Sequence, residues 1–394
     1  MMILNDAMNI QNDIITWRRA LHQIPETGLH LPMTANYVIE RLIEMGISYK
    51  TFDGHSGILA WIGDPARGKT IGLRADMDAL EIKEETDVPF KSENDKMHAC
   101  GHDAHTATLL GAAKLLKSRE ADLKGCVKLI FQPAEEGPGG AVPMIQDGVL
   151  ENPKIDAIFA MHVYNIEEAK TTGSIGLRYG GMFASDDQVY LKIKGKGGHG
   201  SAPNETVDPV VIAAHVILAL QNIISREVKP SSPAVITIAS LNAGRGTTNI
   251  ISDAAEMLGT IRTLSYETRD FVLKRIEEIV DAVTKGFRAD YELRFFDSFP
   301  PVINDASVTT RFLESAKKIL PEEEILIMNE SLMGGEDAAF FFEKVPGTYF
   351  LLNASMPQNG QLYPIHNSKF MLDDTVLYRG AAIFAQAALD ALEG

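Results

Sequence analysis

The chain has 394 residues, 45% of them hydrophobic and 23% charged, an ordinary composition for a soluble globular protein able to bury a sizeable core. Its length suits two or three domains of roughly 150 residues each. A net charge of −16 excludes a general nucleic-acid binder, whose phosphate partners need a basic face, and argues against adhesion to anionic membranes.

Only Cys100 and Cys126 are present, too few for a disulfide framework. The opening MMILNDAMNIQND lacks the basic-then-apolar plan of a signal peptide. The longest apolar runs, such as 210–220, are interrupted (here by His215) and too short to span a bilayer. The expectation is a soluble, cytoplasmic protein with neither membrane nor nucleic-acid partners.

Along the chain, residues 36–45 carry helical periodicity, and Gly46 suits the stop. Short strands are expected over 57–62 and 70–75. Asp103 reads as the N-cap of a helix running through Ala113 to about Lys117. Residues 126–131 (CVKLIF) and 157–161 (AIFAM) are near-continuous apolar strands. Strands buried on both faces and separated by helices indicate an α/β layer structure.

Tyr179-Gly180-Gly181 suits a domain crossing. Beyond it come a strand at 188–193, a long helix at 209–225 and strands at 234–239 and 256–263. A long helix at 267–287 and a strand at 291–296 follow. That βαββαβ order is a ferredoxin-like motif, and Phe299-Pro300-Pro301 suits a second crossing. The expectation is therefore a catalytic domain of residues 1–185 and 299–394, interrupted by an inserted α+β domain at 186–298. There is no internal repeat and no low-complexity tract.

The chemistry concentrates in MHACGHDAH (97–105), where Cys100 and His102 flank a glycine. Thiolate and imidazole are ligands that borderline-soft transition metals favour. Their i, i+2 spacing in extended backbone points both side chains to one side. His98 and His105 are rival ligands. Taken alone, the segment fits a buried cysteine beside a helix cap equally well.

After the 126–131 strand comes FQPAEEG, with Glu135 and Glu136 in a turn closed by Gly137. Two adjacent carboxylates at a strand end can diverge, one toward a metal and one toward a water. Metal-assisted hydrolysis needs that division: the ion lowers the pKa of water toward ~7, and the second carboxylate takes the proton. A solvated acidic turn would read the same way. His162 follows the 157–161 strand and is a ligand or a packed core histidine. His366, in YPIHN, is a ligand or a surface-loop histidine. Ligands in open α/β sheets gather at the carboxyl ends of strands. Five donors exceed one tetrahedral ion, so two ions sharing a bridge, roughly 3.5–4 Å apart, are the natural reading.

The ordered set RRALHQIPE (18–26), GLRADMDAL (72–80), MHACGHDAH, FQPAEEG, AMHV (160–163), GGHGSAP (197–203), GGEDAAFF (334–341) and HNSKF (366–370) resembles the M20 family of metallopeptidases. The resemblance spans essentially the whole chain. It points to the amidohydrolase branch of hippurate hydrolases, N-acyl-amino-acid deacylases and plant indole-acetyl-amino-acid hydrolases. It implies a di-metal exopeptidase-like catalytic domain with an inserted ferredoxin-like satellite domain that carries a homodimer contact and closes over the site.

Cys100, His102, Glu136, His162 and His366 are then the ligands of two divalent ions, and Cys100 is the expected bridge. The donor set does not choose among manganese, zinc, cobalt and nickel. Glu135 would be the general base. His199 would stabilise the oxyanion, and Asn249, Arg262 and Gly335 would contact substrate, since a guanidinium can pair bidentately with a carboxylate. A surface ion pair remains open for Arg262, and an ordinary turn for Gly335.

Asp76 and Asp78 are expected to orient ligands without ligating. His22, His30, His55 and His215 show no partner pattern and read as structural. The activity implied is hydrolysis of the amide of a small N-acyl amino acid to a carboxylic acid and a free amino acid. A dipeptidase or aminoacylase-like peptidase is the alternative. A catalytically silent metal-binding homologue would have no need of Glu135 beside every ligand. A cysteine at position 100, where related branches place a carboxylate, favours the acyl-amino-acid hydrolase.

Overall fold

The Gly125–Gln132 strand is buried at every position, and Ala157–Tyr164 at all but its last. Neither leaves a polar face for water, so both need cover on both sides. They lie in an eight-stranded sheet ordered Ser48–Thr51, Ile58–Gly63, Gly125–Gln132, Lys69–Asp76, Ala157–Tyr164, Gly347–Asn353, Ile175–Leu177, Ile325–Ile327. The computed structural model describes residues 2–169, 171–244, 246–358 and 360–393.

The third to sixth strands of the sheet run parallel. Asp76 lies opposite Gln132 and Asn353 opposite Tyr164, so four carboxyl ends meet along one rim. That rim is where an α/β sheet offers a ligand site.

Chain contacts divide the molecule into two units, the second comprising Gly181–Val302 and Ser331–Ala339. In the first, the His102–Lys117 helix is buried everywhere except Lys114 and Lys117. It packs against the Gln11–His22 and Leu377–Glu393 helices and the Lys69–Asp76 strand.

Asp103 does not cap that helix. The N-cap is Gly101, in left-handed conformation at φ 90°, and Asp103 lies inside the first turn. Its carboxylate is taken by Arg18 Nε at 2.8 Å and His22 Nδ1 at 2.7 Å. A carboxylate neutralised by a buried cation has no reason to turn back to the helix N–H groups. His22 also reaches Glu84 Oε1 at 3.2 Å, so this histidine has two acidic partners that its surrounding sequence did not indicate.

The second unit holds a four-stranded antiparallel sheet ordered Ala234–Ala243, Ala254–Thr263, Asp186–Lys194, Asp290–Phe299. In chain order with its two long helices this is βαββαβ. Along Asp186–Lys194 the odd-numbered positions 187–193 are buried, the signature of a sheet covered on one face. Ile212, Val216 and Leu220 of one helix and Val272, Ile276 and Val280 of the other supply the cover at helical spacing. Ser265 caps the second helix, its hydroxyl accepting from Thr268 N–H. Among the described residues, the Pro209–Glu227 run alone is long and apolar enough to cross a membrane by length and composition, and a third of it is buried.

Candidate metal centre and substrate-contact residues

Gly101 makes the Cys100–His102 turn possible. Its φ of 90° suits glycine, and a side chain there would run into Val163. Cys100 Sγ lies 3.3 Å from His162 Nε2. His162 Nδ1 is 2.6 Å from the Val163 carbonyl, which can only accept, so the proton sits on Nδ1 and the Nε2 lone pair faces the sulfur. His162 belongs to the Ala157–Tyr164 strand itself, so the strand's pleat sets its direction.

His366 Nε2 lies 3.1 Å from Glu136 Oε1. His102 Nε2 is 4.0 Å from the same oxygen, is buried, and makes no hydrogen bond among the described residues. His102 groups at the same spacing with Glu135 and Glu136 and with Asp76 and His105, but the donors that include Cys100 form two trios, Cys100–His102–His162 and Cys100–Glu136–His366, each with its atoms within 4.8 Å of one another. Cys100 is common to both.

These separations fit metal coordination. With zinc bonds of about 2.0–2.3 Å, tetrahedral geometry sets sulfur and nitrogen donors about 3.6 Å apart and nitrogen and oxygen donors about 3.4 Å apart. The 3.3 Å and 3.1 Å pairs need little adjustment to accept an ion.

The supports come from other segments. One Asp78 oxygen accepts from Glu135 N–H and the other from Glu136 N–H, both at 3.0 Å, and Asp78 Oδ1 lies 3.3 Å from His102 Nδ1. A single carboxylate thus holds both glutamates and the His102 imidazole. Ala134 (φ 57°) and His366 (φ 64°) are left-handed without being glycine. Such strain costs of order 1–3 kcal/mol and is typical of functional sites. His366 is held by its N–H on the Ala99 carbonyl at 2.8 Å. Glu135 is buried, with Oε2 3.8 Å from His102 Nε2.

His105 is a support. Val163 N–H donates to its Nε2 at 2.9 Å, which puts the proton on Nδ1, and that proton is donated to Asp76 Oδ1 at 2.6 Å. Both nitrogens are committed. Asp76 Oδ2 accepts from buried Arg74 at 2.7 Å, and Arg74 Nε donates to Gln132 at 2.9 Å. His98 is buried but lies in neither trio.

The electrostatics favour cations. Burial, then the charges of Glu136 and Glu135, push the Cys100 thiol well above its usual value. Burial alone would depress His102, but Asp76, Asp78 and Glu136 override it and lift His102 to about 10. Burial would raise Glu136, yet the hydrogen bond from His366 and the charge of His102 hold it below the ordinary carboxylate value.

His199, Asn249, Arg262 and Gly335 belong to the second unit. Gly198–His199 pairs with Ile250–Ile251, and Gly200 N–H donates to the Asn249 carbonyl at 2.8 Å, which brings His199 and Asn249 together. Ser201 N–H and Oγ lie 3.2 and 2.8 Å from His199 Nδ1. Arg262 pairs with Asp186 and Thr260, and a Cβ on Gly335 would lie 2.7 Å from Asp186 Cβ. No local pattern in the sequence marked Asp186, Ser201 or Arg74 for these roles.

The family model for peptidase family M20/M25/M40 matches residues 72–390. Thermostable carboxypeptidase 1 of Saccharolobus solfataricus is 38% identical, over 98% of this chain and 97% of that protein. Hippurate hydrolase of Campylobacter jejuni is 35% identical over the whole of both chains. The crystal structure of Bacillus subtilis YXEP, described as a dinuclear metal-binding M20 peptidase, superposes with a TM-score of 0.83 at 34% identity, covering 98% of this chain and 99% of that one. With the family model and relatives both matching across most of its length, the chain belongs to peptidase family M20/M25/M40.

Proposed function

We propose that the protein is a metal-dependent amidohydrolase that cleaves the amide of N-acyl amino acids to a carboxylic acid and a free amino acid. The observation that carries this reading is the pair of donor trios sharing Cys100, with Glu135, which Asp78 holds by its backbone N–H, grouped beside them with His102 and Glu136. Cys100, His102, Glu136, His162 and His366 would hold two divalent ions, which when bound would supply Lewis acidity to acidify water and polarise the acyl carbonyl. Manganese, zinc, cobalt and nickel all suit the donor set.

Glu135 takes the proton from the attacking water and returns it to the leaving nitrogen. His199 donates to the oxyanion of the tetrahedral intermediate. Arg262 takes the α-carboxylate of the substrate, with Asn249 and the backbone at Gly335 completing its seat. Hippurate is an N-acyl glycine, so the name of the Campylobacter relative supports this substrate class.

The name of the Saccharolobus relative supports a second reading, a peptidase acting at a free carboxyl terminus. A panel of acetyl-, benzoyl- and indole-acetyl-amino acids, run beside dipeptides with manganese or zinc, separates the two. Higher kcat/KM on the acyl amino acids is expected, and hydrolysis confined to dipeptides overturns the proposal. We also propose a soluble, cytoplasmic homodimer formed through the second unit, where Val210, Val211 and Leu218 are exposed on one helix and Ala234–Ala243 is a sheet edge. A monomer in light scattering at micromolar concentration would rule that out.

A further inference from the structure

We propose that Asp186 is a positioning residue that clamps one arm of Arg262 and leaves the opposite edge of the guanidinium open for the substrate α-carboxylate, and that Gly335 is glycine to make room for that clamp. The inference rests on the N-acyl-amino-acid reading above. All three residues lie in the second unit.

A guanidinium has five N–H donors. Among the described residues, every hydrogen bond Arg262 makes is on Nη1: to Asp186 Oδ1, to Thr260 Oγ1, and to the Ile261 carbonyl at 3.1 Å. Among the described residues Nε and Nη2 donate to nothing. The Nε–Nη2 edge is one of the forks that receive a carboxylate with two parallel hydrogen bonds. Arg262 is about four-fifths buried and so is Asp186, with side-chain exposures of 21% and 23%. The open edge is therefore carried on a largely desolvated side chain.

The clamp is itself rigid. On one flank of Asp186, Ser185 exchanges hydrogen bonds with Thr263, the residue after Arg262: Ser185 N–H to the Thr263 carbonyl at 2.7 Å, and Thr263 N–H to Ser185 Oγ at 3.0 Å. On the other flank, buried Asp187 takes Arg269 in two hydrogen bonds of 2.9 and 2.7 Å. Asp186 is thus fixed relative to the strand that carries Arg262. The 2.7 Å between a Cβ on Gly335 and Asp186 Cβ is closer than real carbon atoms approach, so any side chain at 335 displaces the clamp.

A carboxylate beside the guanidinium has two opposed effects. Its charge weakens the pull of Arg262 on a substrate carboxylate, while its grip removes the cost of ordering a long side chain. The sign of the response to mutation separates them. KM is measured for an N-acyl amino acid and for its carboxamide, in wild type and in D186A, D186N, G335A and R262A, with thermal melts as folding controls.

If the clamp dominates, D186A raises KM for the acid about tenfold and leaves the amide unchanged. D186N, which keeps Oδ1 as an acceptor, stays within about threefold of wild type. G335A follows D186A, and carries the sign test should D186A fail to fold. An unchanged or lowered KM for the acid in both D186A and G335A overturns the clamp. R262A reports on the underlying reading. If it leaves the acid-to-amide ratio untouched, the carboxylate assignment falls and the clamp with it. If R262A abolishes the acid preference while D186A and G335A preserve it, only the clamp falls.

Discussion

Cys100→Ala removes the one donor common to both trios and should weaken both ions together, whereas His162→Ala and His366→Ala should each weaken one. Structural zinc binds with about 10–16 kcal/mol over four ligands, roughly 2.5–4 kcal/mol per ligand, or about a 100- to 1,000-fold loss of affinity for each ion deprived of one. In Cys100→Ala the first trio keeps only His102 and His162, and the second only Glu136 and His366. Both sites therefore fall to two donors at once. Competition titrations against chelators of graded strength, with the ions counted by mass spectrometry, read the two affinities separately. Retention of one ion at wild-type affinity in Cys100→Ala would show the thiolate serving only the other, and the bridging assignment would fail.

Glu135→Gln should lower kcat by about 10²–10⁴ while metal content stays at the wild-type level. Near-normal turnover by that variant would remove Glu135 as the base. Asp78→Ala releases the backbone N–H groups of both glutamates and the Nδ1 side of His102, and should cost about 10–100-fold in metal affinity or activity; a variant matching wild type in both would remove Asp78 from the support. Metal loading should also release protons. His102 is held charged up to about 10 and burial keeps the Cys100 thiol neutral, so at pH 8 each gives up its proton to ligate, about two in total. Apparent affinity then rises with pH as proton competition fades. Calorimetry in buffers of different ionisation enthalpy counts the protons, and a count of zero would contradict the ligand set.

The legible parts of the site were those whose chemistry is local. Cys100 and His102 declare themselves through spacing around a glycine, and the Gly125–Gln132 strand through its unbroken apolar run. Glu135 and Glu136 follow that strand directly. Asp103 was misread because capping is also a local pattern, whereas its carboxylate is claimed by Arg18, far away in the chain. His22 reads as partnerless for the same reason: Asp103 and Glu84 reach it only through the tertiary fold. Asp186 opens the strand DDQVYLKIK like any solvated acid, and only the sheet register sets it beside Arg262.

The long-range pairs decide which of several chemically suitable side chains is left available as a candidate ligand. His102 and His105 are both buried imidazoles on one helix. His105 is removed from the donor pool because Val163 N–H occupies one nitrogen and Asp76 the other, and a neutral imidazole has one donor and one acceptor to give. Among the described residues, His102 keeps Nε2 without a hydrogen bond because its hydrogen-bond partner, Asp78, lies on the Nδ1 side. Asp78 divides the two glutamates in the same way. It holds both by their backbone N–H groups, so their carboxylates are left to part, Glu136 toward His366 and Glu135 toward the space beside His102. The division between ligand and support thus depends on which imidazole nitrogens remain unpaired after the sheet and helix have formed.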